Sequence, residues 1–344
     1  MKKIILIFFL FASQLRAQDA LSSQFYQNPL SVNPALTGGM AQSNRLTLSY
    51  RNQWGSLLGA DAFQTYCVSY DHKITVGRRD FMGVGVHAFS DKGGALAVQQ
   101  NQIGASFAYA REMAGNRRQH HFLTVGTQFG VGQRNLDLAA ATWGTQQTNG
   151  RFNAQQATNE NAILNTFDNR MYADVAIGLA LYSVFDRVGS LYVGGSAQHL
   201  NAPMLSETAN AAQFLKPRFV FHAGGEYLFA NATWAIVPQL MSQWQGKNFE
   251  TNVGTALQFR FRRDGSMALQ GGVWNRFGNS ESRYLNWQSL VLVTKLSFAD
   301  GSVGVSYDFN TNALAATNRN GGVEINLSYL FGKANRNGVY CPTF

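Results

Sequence analysis

The sequence predicts an all-β protein: a transmembrane antiparallel β-barrel of about 14 strands, with short periplasmic turns and longer extracellular loops. Three observations lead there. Charged residues are only 14% of the 344-residue chain, against roughly 25% in an average soluble domain. Aromatics reach 13%, and there are 34 glycines against 6 prolines, a mixture too apolar for disorder and too rich in glycine for a helical bundle. Apolar and polar residues alternate with period two in segment after segment, as strands do when their two faces meet different surroundings.

The first element is a secretory signal over 1–17. Lys2 and Lys3 supply the positive start, Ile4 to Ala12 the apolar core, and Ala17 a small residue for cleavage. The apolar run is far shorter than the roughly 20 residues of a membrane-spanning helix, so an anchor is disfavoured. Removing Lys2, Lys3 and Arg16 lowers the net charge from +9 to +6. The remaining arginines are scattered in pairs at turns, and no RNA- or DNA-binding motif is present. Nucleic acid is therefore not an expected partner; a lipid bilayer is.

Residues 18–44 follow as an N-terminal periplasmic or lumen segment. Pro29 and Pro34 argue against a strand there, since each lacks a ladder donor. The barrel is expected over 45–331, and 332–344 form a C-terminal tail. Strand-like segments start near Leu46, Ala62, Phe81, Leu96, His121, Tyr172, Leu191, Arg218, Thr233, Phe249, Met267, Leu290, Ser302 and Val323. In the segment from Ser302, Val303, Val305, Tyr307 and Phe309 oppose Ser302, Gly304, Ser306 and Asp308. In the next, Val323, Ile325, Leu327, Tyr329 and Phe331 oppose Glu324, Asn326 and Ser328. Polar residues on the second face suit a wet lumen behind a lipid-facing wall, and an open edge in hydrocarbon would leave backbone groups unpaired.

Connections alternate in length. Those near 186–187, 230–231, 263–265 and 300–301 are short, whereas 135–169, 201–217, 276–287 and 310–321 are long. With the short ones periplasmic, Arg78, Arg79, Arg111, Arg117, Arg118, Arg187, Arg262 and Arg263 form a basic periplasmic rim. That rim suits anionic headgroups, an acidic periplasmic partner, or solvent alone.

Motifs in one order along the mature chain carry a resemblance. They are SQFYQNPLSVNPALTG (23–38), YRNQW (50–54), SYD (69–71), GVGVHAFSDKGG (83–94), GVGQRNLDLAAATWG (130–144), AQHLNAP (197–203), VSYDFNTNAL (305–314), GGVEINLSYLF (321–331) and CPTF (341–344). Together they resemble the PorP/SprF family of type IX secretion system proteins of the Bacteroidota. The middle of 135–169 departs from that pattern. The resemblance implies an outer-membrane protein that assists secretion or surface attachment of cargo with a C-terminal targeting domain, such as a gliding adhesin. It implies as partners that cargo domain and periplasmic components of the apparatus. The alternative is a porin-like diffusion channel for small solutes, because a barrel of this size can enclose water.

Two groups are candidate partner contacts. Tyr50, Arg51, Asn52, Gln53 and Trp54 end the first strand; as a docking surface they would be exposed, and as plain barrel parts they divide into aromatic girdle and lumen hydrogen bonds. Asn28, Pro29, Asn33 and Pro34 belong to the segment before it, which is expected to plug the lumen or lie along its periplasmic mouth. No enzyme chemistry is expected: no catalytic, cofactor-binding or metal residues are assigned. His120 and His121 are adjacent in a strand and point to opposite faces. G-x-G patterns such as Gly83–Gly85 lie inside strands, where glycine relieves curvature or crowding. Cys67 and Cys341 are the two thiols; one bridge is open to them, and Cys67 is otherwise packed or lipid-facing.

Overall fold

The computed structural model describes residues 22–77, 79–94, 98–116, 118–135, 146–148, 151–153, 171–185, 188–208, 211–229, 233–262, 266–279, 285–311 and 320–333. The expected signal 1–17, most of the 135–169 connection and the tail from 334, Cys341 included, lie outside them.

Among the described residues, eighteen strands form in chain order: β1 Asn44–Gln53, β2 Phe63–Val76, β3 Asp80–Gly93, β4 Val98–Gly115, β5 Gln119–Asn135, β6 Gln147–Thr148, β7 Arg151–Phe152, β8 Met171–Phe185, β9 Gly189–Gln198, β10 Met204–Thr208, β11 Ala211–Phe214, β12 Arg218–Leu228, β13 Trp234–Gln245, β14 Asn248–Arg260, β15 Met267–Gly278, β16 Asn286–Phe298, β17 Gly301–Asn310 and β18 Asn320–Phe331. Pairs β6–β7 and β10–β11 are small separate hairpins. The other fourteen form one closed antiparallel barrel, sealed where β1 pairs with β18 from Asn44↔Phe331 to Gln53↔Gly322. The barrel strands run from 10 to 18 residues, enough to cross a bilayer at a tilt.

Alternation sets the register, because a slip of one residue would turn every greasy side chain inward. On β8, Ile177, Leu179 and Leu181 face out while Tyr172, Asp174, Ala176 and Ala180 face in. On β18, Val323, Ile325 and Leu327 face out while Glu324 and Asn326 are buried. Among the described residues, the outward charges Lys92 and Arg111 sit near strand ends, leaving mid-height apolar. Exposed aromatics stand at both ends: Trp234, Phe261, Phe298 and Tyr329 at one, Tyr66, Trp244 and Trp287 at the other. That is the girdle arrangement of a membrane barrel.

The short connections 77–79, 116–118, 186–188 and 299–300 share one end with the start of β1. The long 136–170 and 199–217 connections stand at the other, but that end also carries the two-residue turn 246–247. Gly246 adopts φ +63° there, a left-handed conformation natural to glycine in a tight hairpin. Cys67 is buried and faces the lumen, with no disulfide partner among the described residues.

Candidate functional site: the plugged lumen

The segment before β1 fills the lumen. It enters the described structure at Ser22, forms 3-10 turns at Phe25–Gln27 and Pro34–Leu36 around α1 (Pro29–Val32), and reaches β1 at the short-turn end. The two Asn-Pro pairs explain this outline. Each proline occupies the first position of a turn of helix, where its missing N–H is no loss, and the Asn33 side chain accepts from Ala35 N at 2.9 Å.

Its upper stretch, towards the long loops, meets a buried ion cluster. Arg51 on β1 donates to Asp308 on β17 at 2.9 Å and approaches Glu324 on β18 at 3.6 Å. Arg276 on β15 bonds Asp308 at 3.0 Å and Glu250 at 2.9 Å. The plug supplies the centre: Ser23 Oγ receives from Arg51 and Arg276 at 2.7 Å each, and donates to Asp308 at 2.8 Å. Ser23 N donates to Glu324 at 2.6 Å, and Asn28 Nδ2 to Asn326 at 3.0 Å. Buried charges persist only when paired and hydrogen-bonded, and the plug completes that pairing. Tyr26 stacks on Trp274 at 5.8 Å beneath this layer.

The lower stretch is held by shape. A Cβ on Gly178 would lie 1.8 Å from Asn33 Oδ1, one on Gly126 2.4 Å from Ala35 N, and one on Gly83 2.2 Å from Thr37 O. Glycine at these inward positions lets the plug rest on strand backbone, so the crowding expected at Gly83 is supplied by the plug. Asn33 Nδ2 donates to Leu179 O and Gly195 O, both at 3.1 Å, and lies 2.9 Å from His222 Nε2. At the exit, Arg45 pairs doubly with Asp71 (2.9 and 2.8 Å), which also accepts from Gly38 N at 2.7 Å, and Lys73 donates to Met40 O. Beside the plug, on the side of the long loops, Thr65, Cys67, His87, Gln102, Gln128 and Gln243 line a vestibule of about 80 Å³.

The sequence-predicted residues fall into two sets. Asn28, Pro29, Asn33, Pro34 and Arg51 are buried in the lumen, where they bind the chain to itself. Tyr50 faces outward and packs on Tyr66 at 5.0 Å, Asn52 donates to its hydroxyl, and Gln53 accepts from Arg51. Trp54 sits edge-on to Phe63 at 5.5 Å, in a left-handed conformation (φ 61°) that starts α2, Gly55–Leu58. His120 and His121 do point to opposite faces, towards Glu112 and Ser183. Asp308, Glu324, Arg276, Glu250, Arg45 and Asp71 were not singled out by sequence reasoning. Their signal is an ionisable residue on the polar side of an alternating strand, an expensive choice unless something inside needs it.

A model of the family "Type IX secretion system membrane protein PorP/SprF" matches residues 14–329. The chain belongs to this family. As a PorP/SprF protein with a closed strand cylinder, it is an outer-membrane barrel of type IX secretion. A search of curated proteins found no match. Among solved structures, the chain is similar to the toluene transporter TodX of Pseudomonas putida: 10% identity, covering 87% of this chain and 91% of that one, TM-score 0.44. It is likewise similar to CdiB from Acinetobacter baumannii: 9% identity, 84% and 60% covered, TM-score 0.44.

Proposed function

We propose that this PorP/SprF protein is a non-enzymatic, non-conducting accessory of type IX secretion, assisting export or surface attachment of cargo with a C-terminal targeting domain, such as a gliding adhesin. One observation carries the choice over a diffusion channel: the chain's own residues 22–43 occupy the lumen, with charge and backbone contacts from end to end. An open pore would gain nothing from so many internal bonds. The barrel then works through its surfaces. The vestibule and long loops face the cell exterior, and Arg79, Arg111, Arg118 and Arg262, all exposed, face the periplasm. These four suit acidic periplasmic components of the apparatus; Arg78, Arg117, Arg187 and Arg263 lie outside the described residues.

The test is deletion of the gene followed by proteomics of the medium and cell surface. At least one type IX cargo is expected to be lost from the surface, and from the medium as well if export is the step assisted. Secretion and attachment of every cargo at wild-type levels overturns the proposal. Purified barrel in planar bilayers should stay silent, and sustained open channels would return the protein to the porin class.

A further inference from the structure

The outer wall carries a notch where β9 passes between β8 and β12. Its outward positions Gly195 and Ala197 are small, while their cross-strand neighbours stand high: Leu179 and Phe221 flank Gly195, and Ile177 and Phe219 flank Ala197. Trp244 extends the second row on β13. These residues line one apolar groove on the lipid-facing side, in the half of the wall nearer the long loops. At the long-loop end of the groove, beyond Trp244, Lys216 and Lys247 are exposed, and the Lys216 side chain lies over the 246–247 turn, 2.7 Å from where a Gly246 Cβ would be. Neither lysine has an ion-pair partner among the described residues.

We infer that this notch holds one anionic lipid of the outer leaflet, with an acyl chain over Gly195 and Ala197 and its phosphate on Lys216 and Lys247. The depth selects the occupant. The groove is walled by carbon within the membrane belt, its backbone is paired in the ladders, and its positive rim meets the bilayer surface, where a lipid presents a hydrocarbon chain below an anion. The wall is also stiff at this point. From the lumen side, Asn33 bonds the carbonyls of Leu179 and Gly195, so the notch is preformed and an entering chain orders little that is not already ordered.

Native mass spectrometry of the detergent-purified protein, offered phosphatidylglycerol and phosphatidylcholine in equal amounts, tests this. The wild type should keep one phosphatidylglycerol in preference to phosphatidylcholine. Lys216→Gln and Lys247→Gln should each lower that occupancy about fivefold. Gly195→Leu should abolish it by filling the notch; a Cβ there meets only Val220 O, at 3.3 Å, a tight contact that a shift of a few tenths of an ångström relieves. Ala197→Leu is a second filling variant. Gly271→Leu, at another outward glycine with open space around it, should leave retention unchanged. Equal retention of both lipids, retention surviving both filling variants, or equal loss in Gly271→Leu each overturns the inference. Release of a co-purifying membrane protein by Gly195→Leu would assign the notch to protein instead.

Discussion

The two halves of the plug are secured by opposite means. From Ser22 to Asn28 the segment meets charged side chains that reach inward from β1, β15, β17 and β18. From Asn33 to Thr37 its backbone rests chiefly on bare strand, at Gly83, Gly126 and Gly178, before it reaches the Arg45–Asp71 pair at Gly38. In the first half the wall adds groups to complete a network; in the second it removes atoms to admit backbone. A charged half fails by losing a partner, a fitted half by gaining an atom. Both failures act on one seating, so each can be provoked separately.

The largest effect is expected at the charged half. Arg51→Met leaves Asp308 and Glu324 short of a cation, and removing one member of a buried pair costs about 3–5 kcal/mol. Urea unfolding of the folded barrel in lipid vesicles should show a loss of that order; a loss below about 1 kcal/mol would mean water solvates the cluster and the contrast with the fitted half is false. A smaller effect is expected at the fitted half. Gly178→Ala drives a methyl into Asn33 and should cost about 1–3 kcal/mol, part of it recovered when Asn33→Gly is added, because the two residues touch. Strict additivity in that double variant would break the steric reading. The smallest effect belongs outside the plug: Arg79→Gln removes an ion pair to Glu112 whose arginine is 56% exposed, worth under about 1 kcal/mol. Its stability should be indistinguishable from wild type, which sharpens the distinction between rim arginines and Arg51.

Legibility followed the same division. All fourteen barrel strands were readable because lipid outside and polar groups inside impose period two on every one of them, from Leu46 on β1 to Val323 on β18. The separate β10–β11 hairpin was not, since a short hairpin in a connection has no such two-sided constraint. Within the site, Asn28, Pro29, Asn33 and Pro34 stood out because two Asn-Pro pairs ahead of a strand are unusual, and Arg51 because a cation ended that strand. Their destination was left open between lumen and mouth. Asp308 and Glu324 were visible as members of a polar face, but a face alone names no partner. Their link to Ser23 spans 285 residues for Asp308 and 301 for Glu324, a separation that no local pattern encodes. Gly126 and Gly178 were equally silent: a strand glycine has many uses, and only the position of Asn33 and Pro34 tells which one applies.

The bonds from Ser23 to Asp308 and Glu324 also put assembly in an order. The portion of the chain that leaves the ribosome among the first is anchored to β17 and β18, which leave it among the last. Until those two are made and joined to β1, Ser22 to Asn28 lack Asp308, Glu324 and Asn326, and the two arginines that meet Ser23 lack their carboxylates. Completion of the ring and seating of its contents are therefore one event, and a chain stopped short of Gly301 would carry its own stopper with nowhere to lodge it.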